Sequence, residues 1–113
     1  MIYVIEQDSP VRRGMGMVKI GYSERDPSRR LYDLQVGNPY DLEIIAILKG
    51  GREREASLHE KFIRWHVRGE WFLLHDRHID WLKKASLDDY PSTKALVTEV
   101  TDSPAIAGAS SGG

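Results

Sequence analysis

The chain has 113 residues, of which 41% are hydrophobic and 29% charged, a composition typical of one small globular domain. It contains no cysteine, which excludes a disulfide framework and a thiolate zinc site. The formal net charge of -1 excludes a strongly basic nucleic-acid binder, so any contact with phosphate must be local.

The chain begins with two predicted β-strands joined by a basic loop. IYVIE at 2–6 is β-branched and aromatic, and MVKIGY at 17–22 alternates apolar residues with other types. Proline and glycine punctuate the connection, which carries Arg12 and Arg13. We predict that the two strands pair as an antiparallel hairpin.

A helix and a third strand follow the hairpin. Asp26 or Ser28 can cap the helix, and Pro27 suits its first turn. The helix should end at GNP, residues 37–39, because glycine accepts a left-handed cap and proline prevents continuation. DLEIIAILKG at 41–50 is then a strand whose almost continuous apolar run predicts a central place in the sheet.

The segment REREASLHEKFIRWH, residues 52–66, is predicted to be a second helix. Three apolar residues recur at the spacing of a core-facing stripe, namely Leu58, Phe62 and Trp65. Glu55 and His59 lie on a neighbouring line, which borders the buried face and could form the floor of a cleft.

A short strand, GEWFLL, and a short helix, RHIDWLKKA, complete the predicted elements. We assign residues 1–85 to one domain and 86–113 to an acidic, small-residue tail that we expect to be largely disordered. The order β-β-α-β-α-β-α predicts an α+β fold, in which helices flank a small, mostly antiparallel central sheet of about three strands.

Several cationic side chains could contact phosphate, although each has an ordinary structural explanation. A lysine in a strand, such as Lys19, most often faces solvent, but beside Tyr3 it would favour the phenolate. Arg29 and Arg30 near the start of a helix could simply be solvated. Alternatively, one of them could grip two phosphate oxygens with its planar guanidinium.

Glu55 belongs to the charged run GGREREASLHE, in which most side chains should face water. Its place beside the core stripe suggests that it could hold one Mg²⁺ through oxygen. His59, one turn later, could join that site or orient a water molecule. The four histidines of the chain show no zinc-ligand spacing.

Two strand segments resemble motifs of the GIY-YIG nuclease superfamily. IYVI at 2–5 is similar to the first motif, with Tyr3 as its tyrosine, although the glycine of that motif is missing. VKIG at 18–21 is similar to the second motif, with Lys19 where most members have tyrosine.

Two helical segments extend this resemblance. SRRL at 28–31 resembles the helix that carries an arginine before a bulky apolar residue, which singles out Arg30. REASLHEKF at 54–62 resembles the helix of the metal-binding glutamate, which falls on Glu55. LQVGNPYDLEI and RGEWFLL are similar to a short phage and bacterial branch of the superfamily. The asparagine that many members carry late in the domain has no clear equivalent, since EW of GEWF occupies that region.

The resemblance implies a metal-dependent endonuclease that hydrolyses DNA phosphodiester bonds with one divalent cation, Mg²⁺ or Mn²⁺. Tyr3 would take a proton from water, and Lys19 would favour its deprotonated form. Arg30 would hold the scissile phosphate, and Glu55 would hold the metal. Candidate substrate contacts are Arg29, Arg12, Arg13 and His59.

An alternative is a catalytically weak module on the same fold that binds nucleic acid or another protein. No additional DNA-recognition element is visible, so we expect weak DNA binding on its own or targeting by a protein partner. The first residues lack the pattern of a signal peptide, and no stretch approaches the ~20 apolar residues of a membrane helix. We therefore expect no membrane association and a location in the cytoplasm of a bacterial or phage-infected cell.

Overall fold

The computed structural model describes residues 1–91, which form a five-stranded antiparallel sheet and three α-helices. The strands are β1 (Ile2–Gln7), β2 (Met15–Tyr22), β3 (Leu42–Leu48), β4 (His66–Arg68) and β5 (Trp71–His75). The helices are α1 (Ser28–Val36), α2 (Arg52–Lys61) and α3 (Asp76–Asp89), with a 3₁₀ turn at Ile63–Trp65. The strand order is β3-β1-β2-β5-β4, so β1 and β2 lie inside the sheet.

Both faces of the sheet are covered, because alternate residues of β1 serve different helices. Ile2 and Val4 pack on the face that also receives residues of α2 and α3. Tyr3 and Ile5 pack on the opposite face, where half-buried leucines of α1 complete a smaller cluster. All four β1 side chains are fully buried. The period-two alternation of a strand therefore places Tyr3 on the α1 face.

The predicted antiparallel hairpin is confirmed, with Tyr3 opposite Gly21 and Ile5 opposite Lys19. The helix α1 begins at Ser28, close to the predicted start, but the predicted cap is wrong: Pro27 occupies the N-cap and no side chain caps the helix. Asp26 Oδ1 instead accepts a hydrogen bond from the Ser28 backbone N–H at 3.0 Å in the turn before the helix. The helix ends where the sequence indicates, but by a different turn. Gly37 has a φ of −102° and not a left-handed conformation.

The α+β class is confirmed, but the sheet has five strands and not about three. The additional short strand is β4, whose three residues are all exposed and therefore carry no strand-like hydrophobic alternation. The second helix is also shorter than the predicted range of 52–66. The observed α2 ends at Lys61, and the 3₁₀ turn at Ile63–Trp65 leads the chain directly into β4.

The prediction that β3 is central is wrong, because β3 lies at the edge of the sheet. Its apolar run arises because α1 and α3 pack against it and because α3 also covers its free edge. Ile47 N–H donates to Ser86 Oγ at 2.9 Å, and Lys49 N–H donates to Asp89 Oδ2 at 3.0 Å. Side chains of α3 thus replace a neighbouring strand as partners of this edge.

The helix α3 continues beyond residue 85, where the sequence suggests that the domain ends, and reaches Asp89. It does so because its last turns carry the Ser86 and Asp89 side chains that bind β3. Residues 92–113 of the expected tail lie outside the described residues. None of the helices within residues 1–91 has the length and apolar character needed to cross a membrane.

Replacing Ser86 with alanine should destabilise the protein, because the Ile47 N–H then loses its acceptor. We expect a loss of about 1 kcal/mol in the free energy of unfolding, which lowers the unfolding midpoint by roughly 4–8 °C. Thermal melts followed by circular dichroism would measure this change. Ser57→Ala, at an exposed position of α2, is the matched control and should have little effect. Equal midpoints for the two variants would contradict this account of the β3 edge.

Candidate active site

Tyr3 and Arg30 meet on the α1 face of the sheet. The buried phenol of Tyr3 lies across Gly21 of the neighbouring strand so closely that any Cβ at residue 21 would collide with it. Arg30 Nε donates a hydrogen bond to the Tyr3 hydroxyl oxygen at 3.3 Å. This hydrogen bond raises the pKa of Arg30 above its ordinary value, so the guanidinium remains charged.

Lys19 forms an ion pair with Glu70, whose Oε1 lies 3.0 Å from Nζ. The Lys19 ammonium group also lies 5.8 Å from the centre of the ring of Trp71, the residue opposite Lys19 on β5. In the register of the hairpin Ile5, and not Tyr3, is opposite Lys19. The sequence predicts Lys19 beside Tyr3, but the cation that contacts the Tyr3 hydroxyl is Arg30, whereas Lys19 pairs with Glu70.

The backbone of Ile20 fixes two further elements of the site. Its N–H donates to the carbonyl oxygen of Glu70 at 3.0 Å, which fastens the β4–β5 turn to β2. Its carbonyl oxygen lies 2.8 Å from His59 Nε2, which fastens α2 to the same residue. Since a carbonyl can only accept, Nε2 of His59 carries the proton.

Glu55 lies one helical turn before His59 and is only 8% exposed. Its Oε2 is buried and has no hydrogen-bond partner. Glu70 is the carboxylate that acts on Glu55 electrostatically. Burial, followed by the hydrogen bond and charge of Glu70, raises the pKa of Glu55.

Glu70 responds to the same surroundings in the opposite direction. Burial acts to raise its pKa, but the hydrogen bond and charge of Lys19 more than offset this effect and hold the pKa below its ordinary value. When the two carboxylates share one proton, that proton therefore resides on Glu55. Glu70 also contributes to the electrostatic environment of Arg30, which links the two parts of the site.

We call six side chains the candidate site: Tyr3, Lys19, Arg30, Glu55, His59 and Glu70. Direct contacts join Tyr3 to Arg30 and Lys19 to Glu70 and anchor His59 to Ile20, and the charge of Glu70 acts on both Arg30 and Glu55. All four predicted catalytic residues are included, as is one of the predicted substrate contacts. His59 is anchored to the backbone of Ile20, so its observed contact holds α2 in place.

The other three predicted substrate contacts lie outside this cluster. Arg29 is 86% exposed, 3.7 Å from Asp33, and lines a surface cavity together with Arg30. Arg12 and Arg13 lie in the loop that follows Gln7, at the far end of the β1–β2 hairpin from Tyr3. The strand between Tyr3 and Gln7 spans about 13 Å, so this loop does not join the candidate site.

Sequence reasoning missed the contributions of Glu70, Tyr22 and Arg52. Glu70 stands in a tight turn whose Gly69 has a φ of 55°, and only the pairing of β2 with β5 brings it to Lys19. Arg52 stacks its guanidinium 4.9 Å from the centre of the Tyr22 ring and acts electrostatically on Glu55. The only sequence signal for Glu70 is an acidic residue that directly precedes an aromatic strand.

The residues present fit a single divalent cation held by few protein ligands. Across residues 1–91, no group of three or more histidine, aspartate or glutamate side chains is arranged to hold a metal ion. However, a buried carboxylate oxygen without a donor, such as Glu55 Oε2, is suited to a cation. Mg²⁺ is commonly held by one or two carboxylates, with water and substrate as its other ligands.

Replacing Glu55 with glutamine should stabilise the metal-free protein at neutral pH. Because folding raises the pKa of Glu55, the folded state binds this proton more tightly than the unfolded chain. The stability that this group contributes is therefore lost as the pH rises from the unfolded pKa through the folded one. Glutamine removes this cost, so we expect a gain of about 1 kcal/mol at pH 7 that shrinks as the pH is lowered towards 4.

Urea titrations at several pH values, with chelator present, would measure this gain. Glu53→Gln changes an exposed carboxylate in the same helix and serves as the control. A Glu55→Gln variant that is less stable than the wild type at pH 7 would contradict the burial argument.

Comparison with known families places this geometry in context. The T5orf172 domain matches residues 1–87, whereas the GIY-YIG family itself gave no match. Neither the search of curated proteins nor that of solved structures found a similar protein. The family match covers all five strands and most of α3, and therefore the whole candidate site. The chain belongs to the T5orf172 domain family, a phage-associated family that is related to nuclease-type domains of the GIY-YIG and HNH-like kinds.

Proposed function

We propose that this protein is an endonuclease that hydrolyses DNA phosphodiester bonds with one divalent cation. The observation that carries this proposal is the hydrogen bond between the exposed Arg30 guanidinium and the Tyr3 hydroxyl. Beside it stands a buried carboxylate with an unpaired oxygen, Glu55, and the charge of Glu70 acts on both Arg30 and Glu55. Phosphodiester hydrolysis needs positive charge at the phosphate and at the leaving oxygen, and these two residues offer the means for both. Kinship with nuclease-type domains supports the same activity.

In this proposal Arg30 binds the scissile phosphate. Its Nε is held by the Tyr3 hydroxyl, and the two terminal amino groups of a guanidinium can bind two phosphate oxygens at once. Its permanent positive charge stabilises the negative charge that grows on the phosphate during attack. The contact with Tyr3 reduces the side-chain freedom that Arg30 would otherwise lose on binding.

Tyr3 accepts the proton of the attacking water through the hydroxyl that Arg30 contacts. Because its side chain is fully buried, Tyr3 also acts as a positioning residue that orients the guanidinium. Lys19 acts on the site through Glu70, because their ion pair fixes the carboxylate that influences Glu55.

Glu55 holds the divalent cation, Mg²⁺ or Mn²⁺, and His59 holds the helix that presents Glu55. When bound, the cation would stabilise the charge that develops on the leaving oxygen. Arg29 and Arg52 are candidates for contacts with neighbouring phosphates. Arg29 lines the same cavity as Arg30, and Arg52 stacks on Tyr22, which also lines that cavity.

The second candidate function is a binding module on the same fold, with little or no catalysis. The near-neutral net charge favours it, because a nuclease that acts alone usually gains affinity from a broad basic surface. The binding module is also favoured because this chain has Glu70 in the region where many members of the GIY-YIG superfamily carry an asparagine.

The purified wild-type protein should nick supercoiled plasmid in the presence of Mg²⁺ or Mn²⁺ and should lose this activity in chelator. Arg30→Ala and Glu55→Gln should each reduce the cleavage rate by about 10²–10³-fold, because each removes charge stabilisation of the transition state. Arg77→Ala and Glu53→Gln are exposed controls and should leave the rate within about threefold of the wild type.

Cleavage that survives both Arg30→Ala and Glu55→Gln would contradict the proposed site. Binding of DNA without cleavage, unchanged by Glu55→Gln, would instead support the binding module. Gel electrophoresis of the plasmid and a filter-binding assay on the same samples separate these results.

Tyr3→Phe tests the proton-accepting role separately from the positioning role. If Tyr3 accepts the proton, the cleavage rate of the wild type should rise with pH, and the variant should lose this rise together with about 10²-fold or more of the rate. A variant that is uniformly slower but keeps the pH dependence of the wild type would contradict the proton-accepting role. Single-turnover rates between pH 6 and pH 9 would measure the difference.

A further inference from the structure

We propose that Glu70 is a second carboxylate ligand of the divalent cation, so that Glu55 and Glu70 bind the ion together while Lys19 neutralises Glu70 in the ion-free protein. The inference rests on the proposed function for the class of ion, and it deepens that function by naming the ligand pair. Carboxylate oxygens are the protein ligands that Mg²⁺ and Mn²⁺ prefer.

Two carboxylates lie near each other at a partly buried position, because α2 and the β4–β5 turn are both fastened to Ile20. Glu70 acts electrostatically on Glu55, and like charges that interact in this way repel unless a proton or a cation lies with them. Glu55 is more than nine-tenths buried, and its Oε2 has no hydrogen-bond donor. A divalent cation beside the pair would relieve both the repulsion and the unpaired oxygen.

The backbone of Ile20 also holds the segments that carry the two carboxylates close together. Ile20 binds the carbonyl oxygen of Glu70 through its N–H and His59 through its carbonyl oxygen. His59 follows Glu55 by one turn of α2, so both carboxylates are positioned by the same residue of β2. A metal site benefits from ligands that are fixed in this way before the ion arrives.

Lys19 already supplies a positive charge beside Glu70. Its Nζ lies 3.0 Å from Glu70 Oε1, and its side chain is 12% exposed. An ion pair between Lys19 and Glu70 accounts for the charge of Glu70, but it leaves Glu55 Oε2 without a partner. Lys19 therefore neutralises the charge of Glu70 but not that of Glu55. The flexible lysine side chain can move away from Glu70 when a cation binds.

This arrangement predicts effects of opposite sign for the two partners of the ion pair. Glu70→Gln removes a ligand and should weaken cation binding by about tenfold or more. Lys19→Met removes a competing positive charge and should strengthen cation binding by about threefold or more. A purely structural role for the ion pair would make both variants bind the ion equally or more weakly.

The test is a titration of the full chain with Mn²⁺ alone, without DNA, with free Mn²⁺ followed by electron paramagnetic resonance. Glu55→Gln should weaken binding as strongly as Glu70→Gln, and Glu53→Gln, an exposed neighbour, should bind like the wild type. Thermal melts establish that each variant is folded. If Glu70→Gln does not fold, the sign of the change in Lys19→Met decides the test.

Wild-type affinity in Glu70→Gln, weaker binding in Lys19→Met, or no Mn²⁺ binding by the wild type would each overturn this inference. These results are separable from the fate of the proposed function. If Glu70→Gln binds Mn²⁺ with wild-type affinity and the protein still cleaves plasmid with metal, the proposed nuclease function holds and Glu55 is the sole carboxylate ligand. Two-carboxylate binding of Mn²⁺ without any cleavage leaves the ion site intact and contradicts the nuclease.

Discussion

Three consecutive residues of β2 contact Glu70, His59 and Tyr3, and so position most of the candidate site. Lys19 binds the Glu70 side chain, Ile20 binds both α2 and the β4–β5 turn through its backbone, and Gly21 makes room for the Tyr3 phenol. Each contact needs a different chemical property of β2, namely a charge, a pair of free backbone groups and the absence of a side chain. The site therefore depends on the register of β2 against β1 and β5, since a shift by one residue would separate all three contacts.

The burial of Glu55 near Glu70 lowers the stability of the fold but is suited to ligand binding. A buried carboxylate without a donor costs free energy, and a second carboxylate within reach increases that cost. The sheet and helices around Glu55 must offset it, and they do so with a core that continues through α2 and β5, including Leu58 and Phe72. Such a conflict is typical of a site that binds a ligand, because the ligand completes the interactions that the protein alone leaves open.

Local sequence signals predict the elements that carry the site better than they predict how those elements meet. The strand alternation around Lys19 and the helical spacing of Leu58 and Phe62 follow directly from local periodicity, and the structure bears them out. The place of β3 at the edge could not be predicted, because an apolar strand covered by two helices has the same pattern as a central one. Likewise, α2 stops at Lys61 although the helical spacing continues to Trp65.

The candidate site could be predicted only where a residue type is informative by itself. Resemblance to known motifs singles out Tyr3, Arg30 and Glu55. The structure joins Tyr3 to Arg30 by a hydrogen bond, and Glu70 acts electrostatically on both Arg30 and Glu55. Glu70 has no such signal, since its importance arises from contacts with Lys19 and Glu55, which are far from it in sequence. The partner of Lys19 depends on the pairing of β2 with β5, which is a long-range choice that one sequence does not specify.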